Sequence, residues 1–210
     1  MPARRASDEQ LGAVLPASWT DPHLNVARGA AAAALAFIML REAAVLVPVY
    51  RRPDGELVVV LVRRARGGVH GGQLALPGGQ RDPGDADLAA TALREANEEI
   101  GLAADQLELL AALPVVETQT TGFRIAPFLA RLVVLTPWRR QEREIAEVVE
   151  LPVADLARPE VRAEEVRDFP TWPAPRRIRL WRVGRHEVWG VTYRILEPLV
   201  PRLLGGEWPL

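Results

Sequence analysis

The chain contains no cysteine, which excludes a disulfide framework, a thiol nucleophile and a thiolate metal site. Lysine is also missing, so all 26 basic residues are arginine. A compositional bias accounts for most of this, but guanidinium forks also suit phosphate oxygens, and a few of them could serve there. The net charge of −1 gives no reason to expect nucleic acid or an anionic membrane surface as a partner. The tryptophans at 19, 138, 172, 181, 189 and 208 are scattered, without the interleaved basic runs of a base-stacking surface. No apolar run is long enough to span a bilayer, which takes about 20 residues; the longest, Ala30 to Leu40, is followed by Arg41-Glu42. Met1 to Asp8 has no adjoining apolar run and does not read as a secretory signal. A cytoplasmic enzyme or binding protein is the expectation, since a cysteine-free chain suits a reducing compartment.

What the chain does hold is a concentration of acid. Leu93-Arg94-Glu95-Ala96-Asn97-Glu98-Glu99-Ile100-Gly101-Leu102 crowds three carboxylates onto one helical segment. At about 100° per residue, Glu95, Glu98 and Glu99 fall at roughly 0°, 300° and 40°, a single narrow face. Leu93, Ala96 and Ile100 lie on another side and can anchor the helix to a core. Like charges at these spacings oppose the helix instead of supporting it. An all-oxygen face of this kind suits a hard cation such as Mg²⁺ or Mn²⁺.

The preceding loop, Leu76-Pro77-Gly78-Gly79-Gln80-Arg81-Asp82-Pro83-Gly84-Asp85, has the composition of tight turns and close backbone approach. Asp85 is the predicted N-cap of a helix from about residue 86 to 100, with Gly101 just past its end. Glycine loop, acidic helix and glycine stop together resemble the signature of the Nudix hydrolases. Arg94, Glu95, Glu98, Glu99, Gly101 and Leu102 match its second half, with Ala96 at the aliphatic position. The first half is longer by one residue and carries Asp82 and Asp85 after Gly78-Gly79, a spacing similar to that of coenzyme A pyrophosphatases.

The resemblance implies an α/β fold, a Nudix-type α/β/α sandwich on a mixed sheet with additional N- and C-terminal helices. It implies Mg²⁺ or Mn²⁺ held by Glu95, Glu98, Glu99 and the Gly78 carbonyl. Arg94 would orient a carboxylate by a bidentate contact. Glu144 resembles the acidic residue before the late strand of the family and is the first candidate for general base; Glu117 is a second, with no motif behind it. Upstream, Arg64, Ala65, His70, Gly72 and Gln73 look like the substrate segment of coenzyme A pyrophosphatases. Arg64, His70 and Gln73, with Gly78 and Gly79, are therefore the expected substrate contacts. The segment departs from that pattern in its shorter spacer, in Arg66 as the only internal arginine, and in Leu76 where an aromatic is usual.

Along the chain, residues 7 to 40 read as helix interrupted near Asp21-Pro22. Strands are predicted over 43–50, 57–62, 107–116 and 123–134, and a loop running into a strand over 142–149. A strand pair is expected at 178–183 and 186–189, then an amphipathic helix over 191–204. With no repeat or low-complexity tract, residues 1–210 form one expected domain, with a helical extension at 1–40 and a strand–helix segment at 176–210. Trp189 is expected to pack the junction of that segment; His23 and His186 have no ligand-like sequence neighbours.

The function implied is metal-dependent hydrolysis of a diphosphate linkage in a small nucleotide. Coenzyme A or an acyl ester comes first, with 3′,5′-ADP and 4′-phosphopantetheine as products. ADP-ribose, dinucleoside polyphosphates or nucleoside triphosphates are the alternative substrates. A non-catalytic Nudix-fold binding module is a third reading, opposed by retention of all three glutamates. Homodimers are frequent among relatives.

Overall fold

The computed structural model describes residues 40–67, 71–118, 122–169 and 172–210, and the helical segment expected over 1–40 lies, through Met39, outside them. The core is set by two strands, β1 (Arg41–Arg51) and β2 (Leu57–Arg64), whose central residues are almost entirely apolar. Leu57 to Val62 are all buried. A strand buried on both faces needs such a continuous apolar run, and β-branched side chains fill a pleated surface well.

Alternation divides the two faces. Ala44, Leu46, Val58, Val60 and Val62 pack on one side against Ala92, Ala96 and Ile100 of α1 (Leu88–Ile100). Val47, Val49, Val59 and Leu61 pack on the other against Leu196, Leu199 and Leu203 of α3 (Gly190–Leu204). The short helix α2 (Val153–Ala157) adds Val153 and Leu156 to that second layer. These are the expected α/β/α layers, with the acidic helix on one side and the terminal helix on the other.

The sheet is mixed. β1 runs parallel to β7 (Phe123–Leu132) and antiparallel to β2. Beyond β2 lie β3 (Leu74–Ala75) and β8 (Ile145–Pro152), both antiparallel to it. β4 (Gly78–Gln80) pairs with the start of β1, Val45 opposite Gly78 and Ala43 opposite Gln80. That pairing carries the glycine loop alongside β1. β5 (Leu107–Ala112) and β6 (Val116–Glu117) both pair with β7, so the single strand expected over 107–116 is two. Pro114 stands between them, and a residue without an N–H cannot continue a ladder. A separate antiparallel sheet orders β9 (Arg162–Arg167), β10 (Arg176–Val183) and β11 (His186–Trp189) with β10 in the middle. Trp189 does lie at the β11–α3 junction, half-buried and stacked on Phe169 with ring centroids 5.2 Å apart. Among the described residues, no helix is long and apolar enough to cross a membrane.

The start of α1 corrects one expectation. Asp87, not Asp85, is the N-cap: its backbone is extended and its side chain accepts from the Ala90 amide at 2.7 Å. Asp85 is committed elsewhere, as described below. At the other end Gly101 takes the left-handed conformation, φ 75°, which costs a residue with a Cβ more than glycine. Burying Ile100 between the helix and the sheet stabilises this end by about 1.5–3 kcal/mol. The Asp87→Ala protein should lose about 1 kcal/mol in a urea titration while keeping its activity; an unchanged midpoint would remove Asp87 from the cap.

Candidate active site

Two glycines let the loop lie flat between β1 and α1. A Cβ on Gly78 would stand 2.3 Å from the Ala44 carbonyl oxygen, and one on Gly79 would stand 2.5 Å from the Glu95 carboxylate carbon. The space a side chain would fill at residue 79 is thus occupied by an acid from the helix. Close approach to the β1 backbone at residue 78, and to the Glu95 carboxylate at residue 79, leaves room only for glycine.

The acids are graded by depth along the helix face. Glu98 is open to solvent, its side chain 55% exposed, and Glu95 is half-buried. Glu99 is buried, 4% exposed, with Oε2 accepting from the Gly78 amide at 3.1 Å. Burial pushes the Glu99 carboxyl up from an ordinary 4.5 to about 7. The Gly78 N–H and the Arg64 guanidinium oppose that rise, while Glu95 and Glu144 add to it. Burial raises Glu95 as well, against the pull of Arg94 and with the help of Glu98 and Glu144.

Glu144 therefore joins this field from a different part of the chain. The segment before β8 reaches it by bonding to the end of α1: the Arg139 amide donates to the Ile100 carbonyl at 3.1 Å, and Gln141 to the Glu99 carbonyl at 2.9 Å. The Glu144 carbonyl accepts from the Ala65 amide at 2.7 Å. Of the two candidate bases, Glu144 is the one coupled to Glu95 and Glu99. Glu117 sits on β6, where its carbonyl accepts from Arg194 of α3 at 2.9 Å.

Arg94 makes the expected bidentate contact, and its partner is Asp85. Nε and Nη2 donate to the two Asp85 oxygens at 2.9 and 3.0 Å. The Asp82 amide and the Thr91 hydroxyl also donate to Asp85, each at 2.9 Å. Those contacts, Arg94 first, hold the Asp85 carboxyl well below the usual carboxylate range. Arg94 also donates to the Gln80 carbonyl at 3.2 Å, to Glu95 at 2.9 Å and to Glu98 at 3.2 Å. It staples the glycine loop to the acidic face. This use of Asp85 was missed from the sequence, although its match to the second aspartate of the loop pattern was the signal.

The remaining expected residues fall as follows. Arg64 ends β2, exposed, and acts on Glu99 across the site. Gln73 is half-buried, its carbonyl accepting from the Arg64 amide at 3.0 Å, and the Gly72 amide returns a bond to the Arg64 carbonyl at 3.0 Å. His70 lies outside the described residues.

Glu95, Glu98, Glu99 and the Gly78 carbonyl offer only oxygen, with Arg94 paired to Glu95 and Glu98. Among the described residues, no three acidic or histidine side chains form a ready-made cage. A hard ion that keeps several waters and takes only a few carboxylates fits such a partial set.

Residues 40–172 match the NUDIX domain family. The chain belongs to it. The Nudix hydrolase NudL of Salmonella newport, named as uncharacterized, is 35% identical over 161 residues, covering 76% of this chain and 81% of the relative. NudL of Salmonella enteritidis matches to the same extent. Among solved structures, a MutT/nudix family protein from Enterococcus faecalis superposes with a TM-score of 0.50 at 16% identity, over 80% of this chain and 62% of that one. The Nudix hydrolase RenU of M. smegmatis gives 0.48 at 28% identity, over 56% and 74%. The protein is a Nudix hydrolase, of a family that acts on nucleoside diphosphate derivatives and generally uses divalent ions.

In this Nudix hydrolase the raised Glu99 carboxyl has a consequence for stability. Between its ordinary value of 4.5 and about 7 the folded chain holds a proton that the unfolded chain releases. Metal-free protein should therefore lose stability as pH rises through that window. The Glu99→Gln protein should show a shallower decline, Glu95 being raised as well, and be the more stable of the two at pH 8 by roughly 1–3 kcal/mol. Thermal melts in chelator across pH 4.5 to 8 test this; parallel curves for the two proteins would refute it.

Proposed function

We propose that this Nudix hydrolase cleaves the diphosphate bridge of coenzyme A or its acyl esters, releasing 3′,5′-ADP and 4′-phosphopantetheine. The observation that carries this reading is the placement of the Arg64–Gln73 segment. Its described ends are closed on each other, its Ala65 amide donates to the Glu144 backbone carbonyl, and the charge of Arg64 is felt by Glu99. Among the described residues of that segment, Arg64 is bonded to Gly72 and Gln73, and Ala65 is bonded to residue 144, which supports the reading. The position of the missing aromatic has a packing role here: Leu76 is buried with the residues beneath α3.

In the reaction a water oxygen bonds to one phosphorus, the bridging P–O bond breaks, and the departing phosphate takes the bond electrons. Glu144, beside the cluster, would take the proton of that water. The Arg64 guanidinium offers a fork to the non-bridging oxygens. Arg94 keeps Glu95 and Glu98 on the same side of the helix as the Gly78–Gly79 loop. Mg²⁺ or Mn²⁺, held by Glu95, Glu98, Glu99 and the Gly78 carbonyl, would neutralise the phosphoryl oxygens and lower the basicity of the leaving group. A reducing cytosol suits the cysteine-free chain.

Purified protein offered coenzyme A, acetyl-coenzyme A, ADP-ribose, a dinucleoside polyphosphate and a nucleoside triphosphate with Mg²⁺ or Mn²⁺ should turn over the coenzyme A compounds fastest, with both products resolved by chromatography. No preference for them would end the coenzyme A assignment and leave the broader one. Glu98→Gln and Glu99→Gln should each lower kcat by about 10²–10³-fold with an unchanged circular dichroism spectrum. Near-normal turnover in both would contradict their role as ligands.

A further inference from the structure

β2 ends in two consecutive arginines, and strand alternation sends them to opposite faces. Arg64 faces the acidic helix. Arg63 faces the three-stranded sheet and touches three separate parts of the chain. Its Nε donates to Glu147 Oε2 on β8 at 3.0 Å. Its Nη1 donates to the Gly72 carbonyl at 3.1 Å. Its Nη2 lies 2.6 Å from Nδ1 of His186, the first residue of β11.

The Gly72 contact bears on the active site because residue 72 closes the segment that begins at Arg64. The segment is tight where it is described: a Cβ on Gly71 would stand 2.8 Å from the Gly67 nitrogen. Gly72 itself takes φ 78°, a conformation in which its carbonyl can turn back to β2. A guanidinium has the planar fork to serve three acceptors at once, which an ammonium cannot reproduce. To accept from Arg63, Nδ1 of His186 must carry no proton, so the neutral ring bears its hydrogen on Nε2. The charged groups facing that ring are Arg63 from β2, Glu147 from β8 and Arg185 from the turn before β11. Arg185 also pairs with Glu147. A protonated imidazole would set two donors against each other and open the contact.

We propose that Arg63 is a positioning residue for substrate: it fixes the Gly72 carbonyl, and with it the backbone pairing of residue 64 with residues 72 and 73, so that the Arg64 and Gln73 side chains are held toward the diphosphate, with neutral His186 orienting the Arg63 guanidinium. The inference rests on the reading of residues 64–73 as the substrate segment.

Steady-state kinetics on the best diphosphate substrate, with full-length Arg63→Gln, Glu147→Gln and His186→Gln proteins, provides the test. Arg63→Gln should raise KM about tenfold while kcat stays within about threefold. Glu147→Gln, which leaves the Gly72 and His186 contacts in place, should change neither. His186→Gln retains an oxygen acceptor that does not titrate, so it should match the wild type at neutral pH and lack the wild-type rise in KM on acidification. Tryptic cleavage after Arg66, which needs no activity, should be faster in Arg63→Gln than in the wild type and unchanged in Glu147→Gln. Wild-type KM and wild-type tryptic rate in Arg63→Gln would overturn the proposal, as would equal losses in Arg63→Gln and Glu147→Gln. If the wild-type protein hydrolysed no diphosphate, the functional reading and this inference would fall together; turnover by the wild type with a null Arg63→Gln result would end this inference alone.

Discussion

The bond from the Gly78 amide to the Glu99 carboxylate, 3.1 Å long, is the contact around which this structure is arranged. A carboxylate in that position pays a desolvation penalty that one amide does not offset, and its carboxyl is pushed up accordingly. The fold tolerates the penalty because the surrounding packing is not negotiable. Ala92, Ala96 and Ile100 are fully enclosed against β1 and β2, which fixes the rotation of α1 and so the direction in which its acids point. β4 is registered on β1 by its ladder, which fixes where the glycine amide stands. Rigid apolar layers on both sides thus hold an acid where it is uncomfortable alone. A divalent ion of the kind this family generally uses would offset such an electrostatic cost.

Charge elsewhere in the site is treated differently. Asp85, unlike Glu99, is fully supplied with donors, and Arg94 is the hub that connects it to the loop and to the outer acids. Asp85 is thus saturated with donors, Glu95 and Glu98 share one Arg94 nitrogen, and Glu99 accepts from the Gly78 amide. The contrast is between that saturated carboxylate at Asp85 and the buried Glu99, whose described bond is to a single amide.

Much of this was legible in the residues. The helical spacing of Glu95, Glu98 and Glu99, the apolar stripe of Ala96 and Ile100, and the glycine stop at 101 all follow from local periodicity and backbone preference. The N-cap was not, because Asp85 and Asp87 both stand where a cap is needed and only the tertiary partner of Asp85 decides between them. β9 escaped for a related reason. Its sequence is largely charged: it joins β10 through the backbone ladder, and its side chains meet their neighbours in ion pairs, Glu165 with Arg182 at 2.6 Å, Arg167 with Glu187 at 2.6 Å and Glu164 with Arg177 at 3.5 Å. Such pairs leave no alternation of apolar residues to read. The depth ordering of the three glutamates also lay beyond periodicity, since it depends on how closely a glycine loop approaches the helix.

The last turn of α1 carries one more implication. Its carbonyls at Glu99 and Ile100 are taken up by the amides of Gln141 and Arg139, so the backbone that bears the deepest acid also tethers the strand-leading segment that bears Glu144. The two groups are parts of one mechanical linkage. A substitution that disturbs the helix tip would therefore be felt at residue 144 through the same two backbone bonds.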